Sequence, residues 1–504
     1  MKMNNFLKYI AAGATAVTML ASCEMELVPS TSIAYEEGKP LFLTANDVQS
    51  FQNGVMISYR SLHYGVYYSA SEVMGSSFNA TLDFGNNYGP VHRTDATFTT
   101  SDYDTEDMWI SHYSAIKNYN IAIANADQVA DDLKDAAQTL KGIALFCRAS
   151  SYITLTRHFG EVYNPATAAT DLSVPLVIVY DQLKKAERAT VKQVYDQIIA
   201  DLNEAETLLA SNPGSVRAQL PTVDAVKALK ARYYLDVKDY ANAAKYAEEV
   251  INSAAGYALA STEEEMVAEY TNDAGTEPIL QLYASQAEGT VGCTIYTSVG
   301  NDSNVGKYFS PYFLPSKYLL DNYATTDLRY KSWFTNSLYP VRSSGSYHSG
   351  ITVFTKYLDN PALRSGTIET GAHACKPLLI SEMYLIAAEA NLNVDAQKAT
   401  TILKTLQAKR SATPTEATLE NVKKEWLKET VGEGLYFTCV KRWGDGFPER
   451  PGQPEAESLG LLMTGAGYQT RTLAADSHIF NWPIPAYEIQ LNKDLQQNDG
   501  YTVQ

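Results

Sequence analysis

The sequence is short of cysteine, histidine and tryptophan, and it carries a deficit of positive charge. Five cysteines in 504 residues form no CxxC pair, which excludes a zinc ribbon, a thioredoxin-type redox site and a disulfide-dense scaffold. The histidines at 63, 92, 112, 158, 348, 373 and 478 lie apart, without metal-ligand spacing, and read as surface or capping residues. No metal site and no cofactor are therefore expected. Forty basic residues stand against 57 acidic ones, a formal charge of −17 that repels phosphate backbones and argues against a nucleic-acid partner. HExxH, the GxxxxGK phosphate loop, GxSxG and a strand-borne GxGxxG are all missing, so the chain reads as a non-enzyme. Beyond the first thirty residues no stretch approaches twenty apolar residues, so no membrane-spanning helix is expected.

Tyrosine, in contrast, is abundant: 35 Tyr against 15 Phe. Tyr replaces Phe where one end of the ring stays wet, as at binding surfaces and in loosely packed helices. The N-terminal segment also carries a signal. Lys2 and Lys8 precede a short apolar run, Tyr9 to Ala21, too short to span a bilayer. It ends in Leu20-Ala21-Ser22-Cys23, which resembles a bacterial lipobox. Residues 1–22 are thus expected to be removed as a signal peptide and Cys23 to be lipidated, with the membrane met through that lipid only. Glu24 and Glu26 follow, as in signals for export to the cell surface. Of the other cysteines (147, 293, 375 and 439), which allow two disulfides, Cys147 falls in an apolar helical pattern and reads as a buried thiol.

Helical periodicity fills most of the remaining chain. It predicts helices over Thr44–Arg60, Thr105–Val129, Ala136–Phe159, Val191–Leu209 and Leu419–Glu429, the last set in Gly/Pro-rich coil. Thr222–Leu259 gives helix, turn, helix, with Ala231, Tyr234, Tyr240, Ala243 and Ala247 at tetratricopeptide spacing; Ile380–Lys409 repeats the theme. Small Ala residues let paired helices approach closely. Asp102-x-Asp104-x-Glu106-Asp107 has a flavour of a calcium loop but lacks its Gly and distal Glu, and reads as acids at a helix N-terminus. Two long, aromatic-rich stretches, about 61–104 and 275–370, interrupt the helices, with short hairpins expected near 277–283 and 352–358.

Several ordered blocks then resemble the SusD/RagB family of Bacteroidetes: Tyr119-Asn120-x-Ala122-Ile123 with Asn125; Lys141-Gly142 through Arg148-Ala149 and Arg157-His158-Phe159-Gly160; Arg188 to Leu202; Ser381-Glu382 to Ala390; Gly432-Glu433-Gly434, Lys441-Arg442-Trp443-Gly444; and Trp482-Pro483-Ile484-Pro485 to Asn498 and Tyr501. The resemblance implies a mainly α, single domain over 23–504: a tetratricopeptide-like helical-repeat scaffold with long irregular loops and a few short β-hairpins. It further implies an outward-facing, outer-membrane nutrient-binding lipoprotein that captures oligosaccharides and delivers them to a SusC-like TonB-dependent transporter. Peptide capture by the same architecture and a protein–protein adaptor are the alternatives. Ligands of the family meet loops opposite the scaffold, which singles out Tyr64, Tyr67, Phe84, Asn86, Asn87, Tyr88, Arg93, Tyr296, Tyr312 and Trp333 as candidate contacts. Trp443 and Trp482 are assigned to scaffold packing.

Overall fold

The computed structural model describes residues 40–502 apart from 182, 184 and 289–294, so the expected signal peptide, Cys23 and Cys293 lie outside the described residues. Each expected helix forms within a few residues of its predicted bounds. α1 (Ala45–Ser61) starts at a capping box, in which the Thr44 hydroxyl accepts from the Asp47 amide and the Asp47 carboxylate accepts from the Thr44 amide. α2 (Val66–Met74) lies in the stretch expected to be irregular. α3 (Tyr103–Asn125) has Asp102 as its cap, accepting from the Thr105 amide, so the acidic run does serve a helix N-terminus. α4 (Lys134–Phe159) and α5 (Val191–Leu208) pack together across the loop between them. α6 (Val223–Asp236) and α7 (Tyr240–Ile251) form the helix–turn–helix unit, followed by α8 (Ile380–Asn391), α9 (Ala396–Lys409) and α10 (Leu419–Thr430). α8 packs on both α7 and α9 through fully buried Ala243, Ala247, Ala387 and Ala399. A further helix, Tyr436–Trp443, falls where only coil was expected.

The blocks carrying the family resemblance work as ties between these helices. Arg148 of α4 is buried and donates to both oxygens of Asp201 at 2.7 and 2.8 Å and to Asn120 Oδ1 at 2.8 Å. Arg232 holds Glu382 in the same two-pronged way, at 2.7 and 2.6 Å. Glu389 accepts from the Trp443 indole at 2.8 Å and pairs with Arg442, while Trp482 is fully buried, so both tryptophans are packing residues. The C-terminus of α4, where carbonyls have no helical partner, is closed from a distance. Lys441 donates to the carbonyls of Arg157 and Gly160 at 2.9 and 2.7 Å, and Asn498 donates to that of Phe159 at 2.8 Å. Burial among carbonyls pushes the Lys441 ammonium down to about 7.

Two expectations are corrected. The 277–283 and 352–358 stretches form no local hairpins: Pro278–Leu280 pairs with Leu378–Leu379, and Val353–Phe354 with Phe334–Thr335, because their buried side chains find partners far along the chain. The true hairpins are β1 (Val299–Asp302) with β2 (Gly306–Phe309) and β3 (Val341–Ser343) with β4 (Ser346–His348), joined as a sheet in the order β4-β3-β2-β1. Nor are the histidines mainly on the surface. His92, His112, His158 and His373 are buried, and burial drives His63, His112 and His158 down to about 3. Cys147, Cys375 and Cys439 are buried free thiols. Among the described residues no helix is long and apolar enough to cross a membrane.

Candidate ligand-binding site

On the loop face, residues 81–97 and the four-stranded sheet meet at Asp83, whose carboxylate accepts from the Ser344 amide in the β3–β4 turn at 2.8 Å. On the loop side, Asn86 and Tyr88 take left-handed backbone angles (φ 60° and 54°), which turns the chain sharply before the short helix Gly89–Arg93. A Cβ at Gly89 would land 2.0 Å from Asn86 Oδ1, so a larger residue there displaces the Asn86 carboxamide. Arg93 then pins the turn: it donates to Asn86 Oδ1 at 2.9 Å, to Asp95 at 2.9 Å and to Thr97 at 3.0 Å, with its guanidinium 6.0 Å from the Tyr468 ring centre. Asp95, bonded by Arg93 and the Thr97 amide and hydroxyl, is held below the usual carboxylate range despite some desolvation.

On the sheet side, Tyr308 and Tyr347 lie with ring centres 5.3 Å apart and planes at 66°. The Tyr308 ring lies across Gly300, its register partner, where a Cβ would come within 2.4 Å of the ring. The exposed Arg342 donates to the Tyr308 hydroxyl at 3.3 Å, with its guanidinium 5.6 Å from that ring. Beneath the face, Arg450 is completely buried and donates to five carbonyls, those of Val73, Gly75, His92, Gly467 and Tyr468, at 2.7 to 3.2 Å. One side chain thereby fixes the end of α2, the Gly89–Arg93 helix and the 467–468 loop relative to one another. The surface that results offers tyrosine faces edged by Asp, Asn and Arg groups, which suits a ligand with apolar patches and many hydroxyls. Among the described residues no group of three His, Cys, Asp or Glu is placed to hold a metal ion.

The predicted contacts divide. Asn86, Asn87, Tyr88 and Arg93 share this face, within eight residues of one another. Tyr64 and Tyr296 meet elsewhere, lining a slot of only about 20 Å³ with Tyr68, Phe354, Tyr357 and His373. Tyr67 sets its ring at right angles to the buried His112, 6.1 Å away. Tyr312 is half-buried, and its backbone bonds Ile295 and Thr81. Three are corrected to core residues. Trp333 is 0% exposed, with Lys356 Nζ 4.1 Å above its ring and Tyr270 against its edge. Phe84 packs on Phe313 and Tyr468, and Tyr296 lies 4.4 Å from Phe78, so neither ring has a face left for a ligand. The residues that do line the face and were not singled out are Tyr308, Arg342, Tyr347 and Tyr468. A signal existed for the hairpin pair: Ser344-Gly345 is a turn dipeptide between short alternating runs.

A helical-pair scaffold that presents an aromatic, hydrogen-bonding loop face defines a ligand-binding module. The chain matches the sequence profile described as "SusD family" over residues 232–501 and the profile "Starch-binding associating with outer membrane" over 47–235. It belongs to the SusD family. It is 29% identical to the SusD-like protein P2 of Formosa agariphila over 247 residues, which is 48% of this chain and 46% of that protein; the chain thus matches about half the length of this curated relative. A SusD superfamily protein of Bacteroides thetaiotaomicron has the same fold, with a TM-score of 0.73 and 23% identity over 90% of this chain and all of that one. A laminarin-binding SusD-like protein superposes with a TM-score of 0.67 and 20% identity, covering 90% of this chain and 99% of the other.

Proposed function

We propose that this protein is a cell-surface nutrient-binding lipoprotein, anchored through Cys23 to the outer membrane, that captures oligosaccharides and hands them to a partner SusC-like TonB-dependent transporter. Its task is binding, not turnover. The observation that carries the reading is the partly exposed Tyr308–Tyr347 pair, edged by Arg342 and Asp83 and adjoining the Asn86–Arg93 turn. A sugar ring has one face of C–H groups that packs on an aromatic plane and a rim of hydroxyls that both donate and accept. Asp accepts, Arg donates and Asn does both, so this set satisfies such a rim without a net charge requirement. Family membership and the laminarin-binding relative of the same fold support the assignment.

The test is calorimetric titration of the mature chain, lacking Cys23 and all that precedes it, with panels of oligosaccharides and of mixed peptides. Saturable sugar binding, weakened at least about fivefold by Tyr308→Ala or Tyr347→Ala, is the expected outcome, since loss of one aromatic contact at a binding surface costs about 1 kcal/mol or more. Peptide binding with no response to any sugar overturns the proposal.

A further inference from the structure

A second cleft, sharing no residue with the Tyr308–Tyr347 face, runs along the outer side of α1. Val48, Val55 and Tyr59 turn inward, while Gln49, Gln52, Asn53, Met56, Ile57 and Arg60 follow at helical spacing on the other side. They form one wall of a cleft of about 430 Å³; Gln219, Leu220, Leu282, Tyr283 and Glu288 form the other. That volume lies within the roughly 300–1,000 Å³ typical of small-molecule clefts.

The lining has a definite chemistry. Among the described residues its two charged groups cancel: Arg60 pairs with Glu288 at 2.5 Å and donates to the Tyr283 carbonyl at 2.7 Å. Four carboxamides supply the polar surface. Gln49 Nε2 donates to Asn53 Oδ1 at 3.0 Å, and among the described residues the side chains of Gln52 and Gln219 have no hydrogen-bond partner. Met56, Ile57, Leu220 and Tyr283 supply apolar surface, with Ile57 53% and Tyr283 47% exposed. An anion finds here a guanidinium that is already neutralised, on a chain of charge −17. A cation finds no unpaired carboxylate among the described lining residues, and an acyl chain is obliged to strip water from four amides at a cost. A neutral ring with a C–H face and hydroxyl edges replaces its water with partners, because each carboxamide both donates and accepts.

We propose that this cleft is a second binding site for a neutral oligosaccharide, so that one chain engages glycan at two separate places. The inference rests on the glycan-binding reading above. Two sites on one polymer raise the effective concentration at the second once the first is filled, which holds long chains better than short ones.

The experiment titrates the mature chain with neutral glucan hexasaccharides of α and β linkage, and follows retention of the matching polysaccharides in affinity gels. Three proteins are compared: wild type, a cleft variant carrying Gln52→Ala and Tyr283→Ala, and a face variant carrying Tyr308→Ala and Tyr347→Ala. All four substituted residues are at least partly exposed, and matched melting temperatures verify folding. The expected result is two hexasaccharides bound by wild type and one by each variant, with polysaccharide retention reduced severalfold in both. A cleft variant with wild-type stoichiometry, affinity and retention, beside a face variant that binds nothing, overturns the second site and leaves the first intact. Silence of the wild type towards every glycan overturns both readings together.

Discussion

The scaffold and the loop face use charge in opposite ways. At the centre of the scaffold, one cluster of ionic groups is buried and paired: Arg410 and Arg329, both 0% exposed, share Glu429 and reach Glu277, Glu425 and Asp327. This clustering, with hydrogen bonds from both guanidiniums, holds the Glu429 carboxyl down to about 2 even though burial alone opposes ionisation. On the loop face, Arg342 is exposed and donates to the Tyr308 hydroxyl. A buried charge that is paired specifies a fold, and one left at a rim beside an aromatic ring is available to a ligand. The contrast separates the arginines that hold this protein together from those that can do something for it.

Breaking the scaffold side gives the largest effect. Arg410→Leu leaves Glu277 buried without its ionic partner and Glu429 with Arg329 alone, and a loss of about 3–5 kcal/mol is expected in urea unfolding. Trp333→Leu probes the same side from within the aromatic-rich 275–370 stretch. Truncating that buried ring is expected to cost about 2–4 kcal/mol while glycan affinity stays within twofold; a selective loss of affinity at unchanged stability returns Trp333 to the ligand site. Third is pH. His112 is neutral in the fold and gains a proton only near pH 3, against 6.5 when free of the fold. The unfolded chain thus binds more protons between those values, and stability falls as pH drops from about 6.5 towards 3. The melting temperature of His112→Phe is expected to fall less over that window than that of wild type. Glu72 has the opposite sign. Desolvation, against which the Gly434 and Gly432 amides act, raises its carboxyl to about 7, so its penalty grows as pH rises from about 4.5 to 7, and Glu72→Gln is expected to flatten that limb. The smallest change in stability belongs to the face itself: Tyr347→Ala is expected to shift unfolding by less than about 0.5 kcal/mol, even as it weakens sugar binding.

The same division explains what the sequence made legible. Helices were readable because their apolar spacing and their caps are local: Thr44, Asp102 and Thr222 each cap the helix they precede. The loop face was not, because its geometry depends on distant partners. Nothing near Trp333 in sequence announces that Lys356 and Tyr270 will enclose it. Asn86 and Arg93 were identifiable because a seven-residue turn brings them together, whereas Tyr308 and Tyr347 meet only through a parallel strand pairing at Phe309 and Val341. The histidines misled for the same reason. Residues 63, 112 and 158 are far apart in the chain yet close enough in the fold for both partners to depress His112.

The closure of α4 has a consequence for how the chain matures. Its final carbonyls wait for Lys441 and Asn498, which lie about 280 and 340 residues further on. A segment made early in synthesis cannot settle until one made near the end arrives, so completion is set by slow, long-range encounter instead of by helix formation. Such a chain remains incompletely packed for most of its synthesis, and open to aggregation for the same interval. Replacing Asn498, which also holds the Trp482 carbonyl, is therefore expected to lower yield as well as stability, and a structure of the finished protein shows only the second.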